Sequence, residues 1–251
     1  EQQTQEVLCI DRNTGKQIWR SLIHEGGFPA KSNKKASHAS TTVACDGECL
    51  YVNFMTKGAV HTTALDRHGN KKWETKISDY VVHQGYGSSP ALYQDVVIVS
   101  ADNKSGGVIA GLSRQTGNIV WSRRRPNKPN YPSPIILKVA GRDQLLMTGC
   151  NLVTSLDPLT GEILWETEGA TTECVTSAVT DGKLVFTSGG YPDNHVSAVY
   201  GDGSGKLAWR NKIRVYVPSL LVSGGYLYGI LDAGIAACWD CATGEQKWRG
   251  R

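Results

Sequence analysis

Asn151-Leu-Val-Thr-Ser-Leu-Asp157-Pro-Leu-Thr-Gly161-Glu-Ile-Leu-Trp165-Glu166 is the stretch from which the fold can be read. Leu152, Thr154 and Leu156 alternate with Val153 and Ser155, the period of a β-strand. Asp157, Pro158, Thr160 and Gly161 then supply turn chemistry, and Ile163 to Trp165 opens a second strand. The stretch is a hairpin closed by a Thr-Gly turn, with a tryptophan four residues after the glycine.

The same hairpin recurs through the chain. Its Gly-x-x-x-Trp pairs are Gly15/Trp19, Gly69/Trp73, Gly117/Trp121, Gly161/Trp165, Gly205/Trp209 and Gly244/Trp248. A small residue followed by an apolar one stands upstream each time: Cys9-Ile10, Ala64-Leu65, Gly111-Leu112, Ser155-Leu156, Ala198-Val199 and Cys238-Trp239. Successive tryptophans lie 54, 48, 44, 44 and 39 residues apart. A period of roughly 40–50 residues is that of a propeller, solenoid or array.

Between Trp73 and Trp121, Ser88–Tyr93 and Val96–Ala101 supply two more strands ahead of the hairpin strands Val108–Ser113 and Ile119–Arg123. The later repeats follow suit, with Ser133–Lys138, Val175–Thr180 and Val217–Val222 as their first strands. The repeat after Trp19 uses Ala39–Ala44 and Cys49–Phe54. Four antiparallel strands per repeat describe a β-propeller blade. The expected fold class is all-β, with five complete blades at 37–77, 87–124, 131–168, 173–211 and 215–250 and the outer half of another at 6–20. Trp19, Trp73, Trp121, Trp165, Trp209 and Trp248 are expected to pack between neighbouring blades, with the small residue letting the next sheet approach. The half blade suggests part of a seven- or eight-bladed ring. An open arc, or oligomerisation that hides the free edges, is the alternative.

With 251 residues, 28 glycines and only 3 phenylalanines, the composition suits many short strands and tight turns. The net charge of +4 is mild, and nucleic acid is not an expected partner. No apolar run approaches the ~20 residues that span a membrane as a helix. The chain opens at Glu1 without a Met, which reads as a cut end. Cys45 and Cys49 flank the Asp46-Gly47-Glu48 turn; they are either a disulfide across two strands, as suits an exported protein, or small buried residues. Cys238-x-x-Cys241 lacks the second ligand pair of a zinc knuckle and the helix start of a redox motif.

The repeat Ala-x-Asp-x-x-Thr-Gly-x-x-x-Trp, best matched by Asp11–Trp19 and Asp157–Trp165, resembles the tryptophan-docking repeat of pyrroloquinoline-quinone (PQQ)-type propellers. Asp66–Trp73 is one residue short, Ser113 replaces the Asp before Trp121, and the Val199–Gly205 turn is one residue longer. The resemblance covers nearly the whole chain. It implies the propeller fold, and it is shared by quinoprotein dehydrogenases and by non-catalytic scaffolds similar to the lipoprotein of the outer-membrane β-barrel assembly machine.

In such a propeller the loops between blades (21–36, 78–87, 124–132, 169–173, 211–215) and those between second and third strands (55–59, 102–106, 149–151, 188–195, 232–234) share one face. They present His38, His83, Tyr86, Asn103, Lys104, Tyr131, Glu173, His195, Tyr216 and Asp232, polar groups able to bind a protein, polymer or small-molecule ligand. Lys31, Lys34, Lys35, Arg123, Arg124, Arg125 and Lys128 fall in loops of that face and read as a solvated rim, the alternative being attraction of an anionic partner such as a polymer or lipid headgroup. A quinone dehydrogenase needs adjacent cysteines, a calcium held by carboxylate and amide oxygens, and an Asp base. Glu173, Asn103 and Asp232 have suitable chemistry, but no Cys-Cys or Cys-x-x-Cys-His occurs, and Trp239 sits in a core slot. No Gly-x-Ser-x-Gly, P-loop or His-Glu-x-x-His is present. The sequence therefore points to a non-catalytic binding or scaffolding module of an exported, periplasmic bacterial protein, with no cofactor or metal expected. The alternative is a PQQ- and calcium-dependent dehydrogenase of alcohols or sugars whose catalytic parts lie outside this chain.

Overall fold

The computed structural model describes residues 3–29 and 32–251, and every regular element among them is a strand. The chain forms two compact units, 1–127 and 128–251. In the first, β1 (Thr4–Ile10) and β2 (Gln17–Glu25) make a two-stranded sheet. β3 (Ala44–Cys45), β4 (Cys49–Thr56), β5 (Ala59–Asp66) and β6 (Lys71–Asp79) make a four-stranded meander. So do β7 (Ala91–Tyr93), β8 (Val96–Ser100), β9 (Gly107–Ser113) and β10 (Ile119–Arg125). The second unit holds three more meanders. One is β11 (Ile135–Val139), β12 (Arg142–Gly149), β13 (Leu152–Leu156) and β14 (Ile163–Glu168). Next comes β15 (Val179–Thr180), β16 (Leu184–Gly190), β17 (Asn194–Tyr200) and β18 (Leu207–Asn211). A last meander follows: β19 (Leu221–Ser223), β20 (Tyr226–Leu231), β21 (Ile235–Asp240) and β22 (Gln246–Gly250). All neighbours in each sheet are antiparallel, as in the blades of a β-propeller.

Burial on both faces explains the central strands. Val52, Phe54 and Leu65 pack toward β1–β2 with Val7 and Ile23, while Tyr51, Val60 and Ala64 pack toward β7–β10 with Val97, Val99 and Leu112. In the second unit Val185 and Val199 meet Leu146 and Val153, and Phe186 and Ala198 meet Leu227 and Trp239. Successive residues thus serve different cores, which is why β4, β8 and β16 are buried along nearly their whole length.

The innermost strands are shorter than the sequence predicts: β3, β7, β11, β15 and β19 begin two to five residues late. The residues ahead of them are rich in Ser and Thr, whose side chains replace ladder bonds. Thr41 Oγ1 donates to Asn53 O (2.8 Å) and Thr176 Oγ1 to Ser188 O (3.3 Å). Ser88 and Ser100 hydroxyls pair at 2.9 Å. Outer strands run longer, so 21–25 and 78–79 are strand rather than loop.

The small residue of the repeat also faces the tryptophan of its own hairpin. Cys9, Ala64, Gly111, Ser155, Ala198 and Cys238 stand directly opposite Trp19, Trp73, Trp121, Trp165, Trp209 and Trp248 of their own hairpins. A Cβ on Gly111 would lie 2.3 Å from Trp121 Nε1, so smallness here seats the indole of the same sheet. A β-bulge follows at this point in every repeat. The glycine of the next hairpin closes the slot from the other side. Gly69, Gly117 and Gly244 lie against the rings of Trp19, Trp73 and Trp209. Those indoles donate to the carbonyls of Arg67 (2.9 Å), Arg114 (3.0 Å) and Cys241 (2.8 Å).

Trp165 departs from this pattern because the turn ahead of Gly205 is one residue longer. Gly205 meets Thr167 instead of an indole. Trp165 Nε1 donates to Gln144 Oε1 (2.8 Å), which also accepts from Ser155 Oγ (2.6 Å). Gln144 Nε2 in turn donates to Val139 O (3.0 Å) and, across to the next sheet, to Gly201 O (2.8 Å).

All seven cysteines are free thiols. Cys45 is paired with Leu50, so the pleat sends Cys45 and Cys49 to opposite faces; Cys49 enters the core beside Tyr51, while Cys45 stays exposed. This corrects the disulfide alternative. Arg125 is corrected too. It ends β10, is buried, and its Nε donates to Asp102 at 2.8 and 3.0 Å, so only Arg123 and Arg124 of that run face solvent. Lys34 and Lys35 are exposed, Lys128 is half-buried, and Lys31 lies outside the described residues.

Candidate functional site

In the first unit the candidate residues do not form one site. Asn103 is buried, and its amide donates to the carbonyls of Ala101, Gly106 and Asp79. Its oxygen accepts from Ser105 N, Ser105 Oγ and Val81 N. It is a staple for the loop between β8 and β9, with no oxygen left over for a ligand. Tyr86 donates to Ser100 O (2.8 Å) and packs edge-on against Tyr80, and burial raises its hydroxyl pKa well above the ordinary value. Lys104 is exposed at the loop tip and His83 half-buried in the β6–β7 connection. His38 adopts a left-handed backbone (φ 59°), stacks on Phe28, and accepts from Gln5 through its carbonyl.

The second unit does assemble its candidates. The β14–β15 connection reaches the tip of β16 through a single bridge, Glu173 to Tyr191. Glu173 is buried, and its Oε2 accepts from the Tyr216 hydroxyl at 3.5 Å. Tyr216 N donates to Asp232 Oδ2 (2.8 Å). Arg214 stands over the Tyr216 ring at 5.0 Å, lies 3.7 Å from Asp232, and donates to Gly190 O (2.6 Å). A Cβ on Gly190 would come within 2.6 Å of Tyr216 Cβ, so only glycine allows this approach. Burial, then Glu173, push the Tyr216 pKa up to about 12, keeping the phenol a donor at neutral pH. Tyr131 joins through its backbone, N to Cys174 O at 3.1 Å.

His195 lies behind this surface with no exposure. Both ring nitrogens lack a hydrogen-bond partner among the described residues. Burial, then the Arg210 charge, lower its pKa to about 4, so it is neutral at pH 7. Beside it a groove of about 330 Å³ is lined by Asn151, Glu168, Thr171, Thr172, Asp193 and Arg210, among others. Its walls come from the 149–151, 169–173 and 188–195 loops, with Glu168 and Arg210 from β14 and β18. Arg210, Asp193 and Asn151 were not singled out from sequence. Arg210 is legible only through register, since it stands opposite Ser197 on β18, two residues from His195.

These groups hold one another in place, and among the described residues no nucleophile–base pair is assembled from them. The calcium of a quinone site finds no ready cradle. The Asn103 oxygen is taken by three donors, and Asp232 Oδ2 already receives the Tyr216 N–H beside the Arg214 charge. No cluster of three or more His, Cys, Asp or Glu side chains suited to a metal stands among the described residues. No helix among them is long and apolar enough to cross a membrane.

The family model described as "Outer membrane protein assembly factor BamB" matches residues 3–250, and the chain belongs to that family of PQQ-like β-propellers. No curated protein matches it. Among solved structures, BamB from Moraxella catarrhalis aligns with a TM-score of 0.67 at 17% identity, over 94% of this chain and 68% of that one. A europium-containing methanol dehydrogenase gives 0.65 at 14% identity, over 98% and 65%. The quinohemoprotein alcohol dehydrogenase ADHIIG from Pseudomonas putida HK5 gives 0.68 at 13%, over 97% and 56%. This chain therefore spans 56–68% of those three lengths. At such identities the likeness carries the fold alone.

Proposed function

We propose that this chain is a non-catalytic binding propeller of an exported bacterial protein, and that the loop face of its second unit receives a protein partner. The observation that carries this reading is the state of the convergent groups. Glu173, Tyr216, Arg214 and Asp232 are satisfied by one another, which makes a rigid, mixed-charge surface beside an open groove. Such a surface suits recognition, where preset geometry lowers the cost of ordering on binding. The family's description points the same way.

The test has two arms on the whole chain. Titration with PQQ and calcium is expected to give no saturable heat or absorbance change; micromolar saturation would replace this reading with the dehydrogenase one. In capture from a periplasmic extract, Arg210→Glu is expected to lose a protein that the unaltered chain and an Arg20→Glu control both retain. Equal capture by all three overturns the assignment to this face.

A further inference from the structure

The two-stranded sheet β1–β2 seats Val7 and Ile23 on Val52, Phe54 and Leu65 of the neighbouring sheet. Its opposite face, with Leu8, Ile10, Ile18 and Leu22, is exposed, so among the described residues the seat on β3–β6 is what holds it. Polar ties frame that seat: Thr56 Oγ1 donates to Gly26 O (3.0 Å) and Trp19 Nε1 to Arg67 O (2.9 Å). At its rim two imidazoles from different sheets meet, His24 on β2 and His61 on β5, with ring centres 5.6 Å apart. Gln5 decides the state of His24. Its Nε2 donates to His38 O (3.0 Å) and Met55 O (3.2 Å), which uses both amide hydrogens and leaves Oε1 an acceptor. His24 Nδ1, 2.9 Å from that oxygen, therefore carries the ring proton, and an added proton goes to Nε2. His61 Nδ1 is buried without a hydrogen bond.

The surroundings provide for one added charge and not for two. Glu74 Oε2 lies 3.3 Å from His24 Nε2, but the same oxygen accepts from Thr63 Oγ1 (3.0 Å) and faces Lys71 Nζ (3.4 Å). Lys57 from the β4–β5 turn and Lys76 from β6 add positive charge around His61. Glu25, at the end of β2, is the other carboxylate of the groove that both imidazoles line. Glu6 and Arg20, on the same sheet as His24, pair with each other. With both rings charged, cations outnumber carboxylates at this joint, and like charges on different sheets push the sheets apart. We propose that the His24–His61 pair makes the joint acid-sensitive: when both rings take up a proton β1–β2 lifts from β3–β6, and neutral pH reseats it. Release uncovers Val52, Phe54 and Leu65, an apolar strip that the seated sheet covers. Burial lowers the pKa of both rings, and the neighbouring Glu74 offsets this only in part. The lifted sheet therefore binds the protons more readily than the seated one. The joint is strongest above the ordinary histidine pKa of about 6.5 and weakens as pH falls below it.

Hydrogen exchange of the whole chain at pH 7.5 and pH 5.5, corrected for the intrinsic rate at each pH, tests the joint. Protection of the β1–β2 amides and of the Trp19 indole N–H should fall by about tenfold or more at the lower pH, while β12 and β13 keep theirs. His24→Gln and His61→Gln combined should give equal protection at both pH values, and His68→Gln, in an exposed turn, should keep the dependence. Should the double variant fail to fold, the unaltered chain still decides, because the His24 and His61 imidazole resonances must titrate over the same pH range in which β1–β2 loses protection. Unchanged protection at pH 5.5, a loss shared by β12 and β13, a pH dependence that survives the double substitution, or imidazoles that charge while the sheet stays protected would each overturn the proposal.

Discussion

Gly117 and Gly15 occupy the same slot of the repeat, and both need a positive φ, 77° and 69°. Their surroundings differ. A Cβ on Gly117 would sit 2.6 Å from the Trp73 ring, whereas nothing lies within 4 Å of one on Gly15. Gly15→Ala should therefore cost only the left-handed backbone term, about 1–2 kcal/mol. Gly117→Ala should add an overpacking term of about 1–3 kcal/mol. Urea unfolding of the two variants checks the difference, and equal losses would mean the indole does not depend on this close approach. His195 gives a second residue-scale prediction. Its folded pKa lies below the value of an unfolded chain, so the fold holds the neutral ring and the unfolded state takes up the proton first. Stability from this source is complete above pH 6.5, falls as pH drops toward about 4, and levels off below that. The loss is about 3 kcal/mol by the same linkage. The difference in urea-unfolding stability between the unaltered chain and His195→Gln, followed from pH 7.5 to 4, should carry this slope; a difference independent of pH would place the proton elsewhere.

At the scale of elements, single side chains hold strands where backbone pairing does not reach. Asp102 and Arg125 tie the loop after β8 to the end of β10, and both side chains are almost fully buried. Removing the carboxylate strands a buried guanidinium, so Asp102→Ala should destabilise by about 3–5 kcal/mol, measurable as a lower urea midpoint. Gln144→Leu should be comparably harmful, because it leaves two carbonyls, a hydroxyl and an indole N–H without their partner at about 1–3 kcal/mol each before relaxation. These elements also mark how far sequence carried. The hairpins were legible because Asp, Thr, Gly and Trp each perform a local task. Asp157 Oδ1, for example, accepts from Leu159 N and Thr160 N to shape its own turn. The inner strand ends were not legible, because Ser and Thr hydroxyls there stand in for ladder bonds. Arg125 looked like rim charge because a loop was predicted where β10 still runs, its last residue turned into the protein. On the candidate face, Glu173 and Tyr216 were found from loop position alone, while Arg210 required the register of β17 on β18.

For the whole molecule, the repeat makes a prediction about cooperativity. Each sheet draws its core from its neighbours, so stability in such an array is a sum of sheet and interface terms, and damage should spread mainly to adjacent sheets. Trp73 lies between β3–β6 and the Gly117 turn of β7–β10, and Trp209 between β15–β18 and the Gly244 turn of β19–β22. Either tryptophan changed to alanine should cost about 3 kcal/mol, the low end for an aromatic deletion because both keep partial exposure. Hydrogen exchange resolves where that loss falls. Trp73→Ala should lower protection in β4, β5, β8 and β9 while β16, β17, β20 and β21 keep theirs, and Trp209→Ala should do the reverse. In the unaltered chain the central strands should exchange slowest and the exposed outer strand β22 fastest, since its residues are all solvent-facing. Uniform loss of protection across both units from either variant would show that the chain opens as one cooperative body, and the stacked-sheet account of its stability would have to be given up.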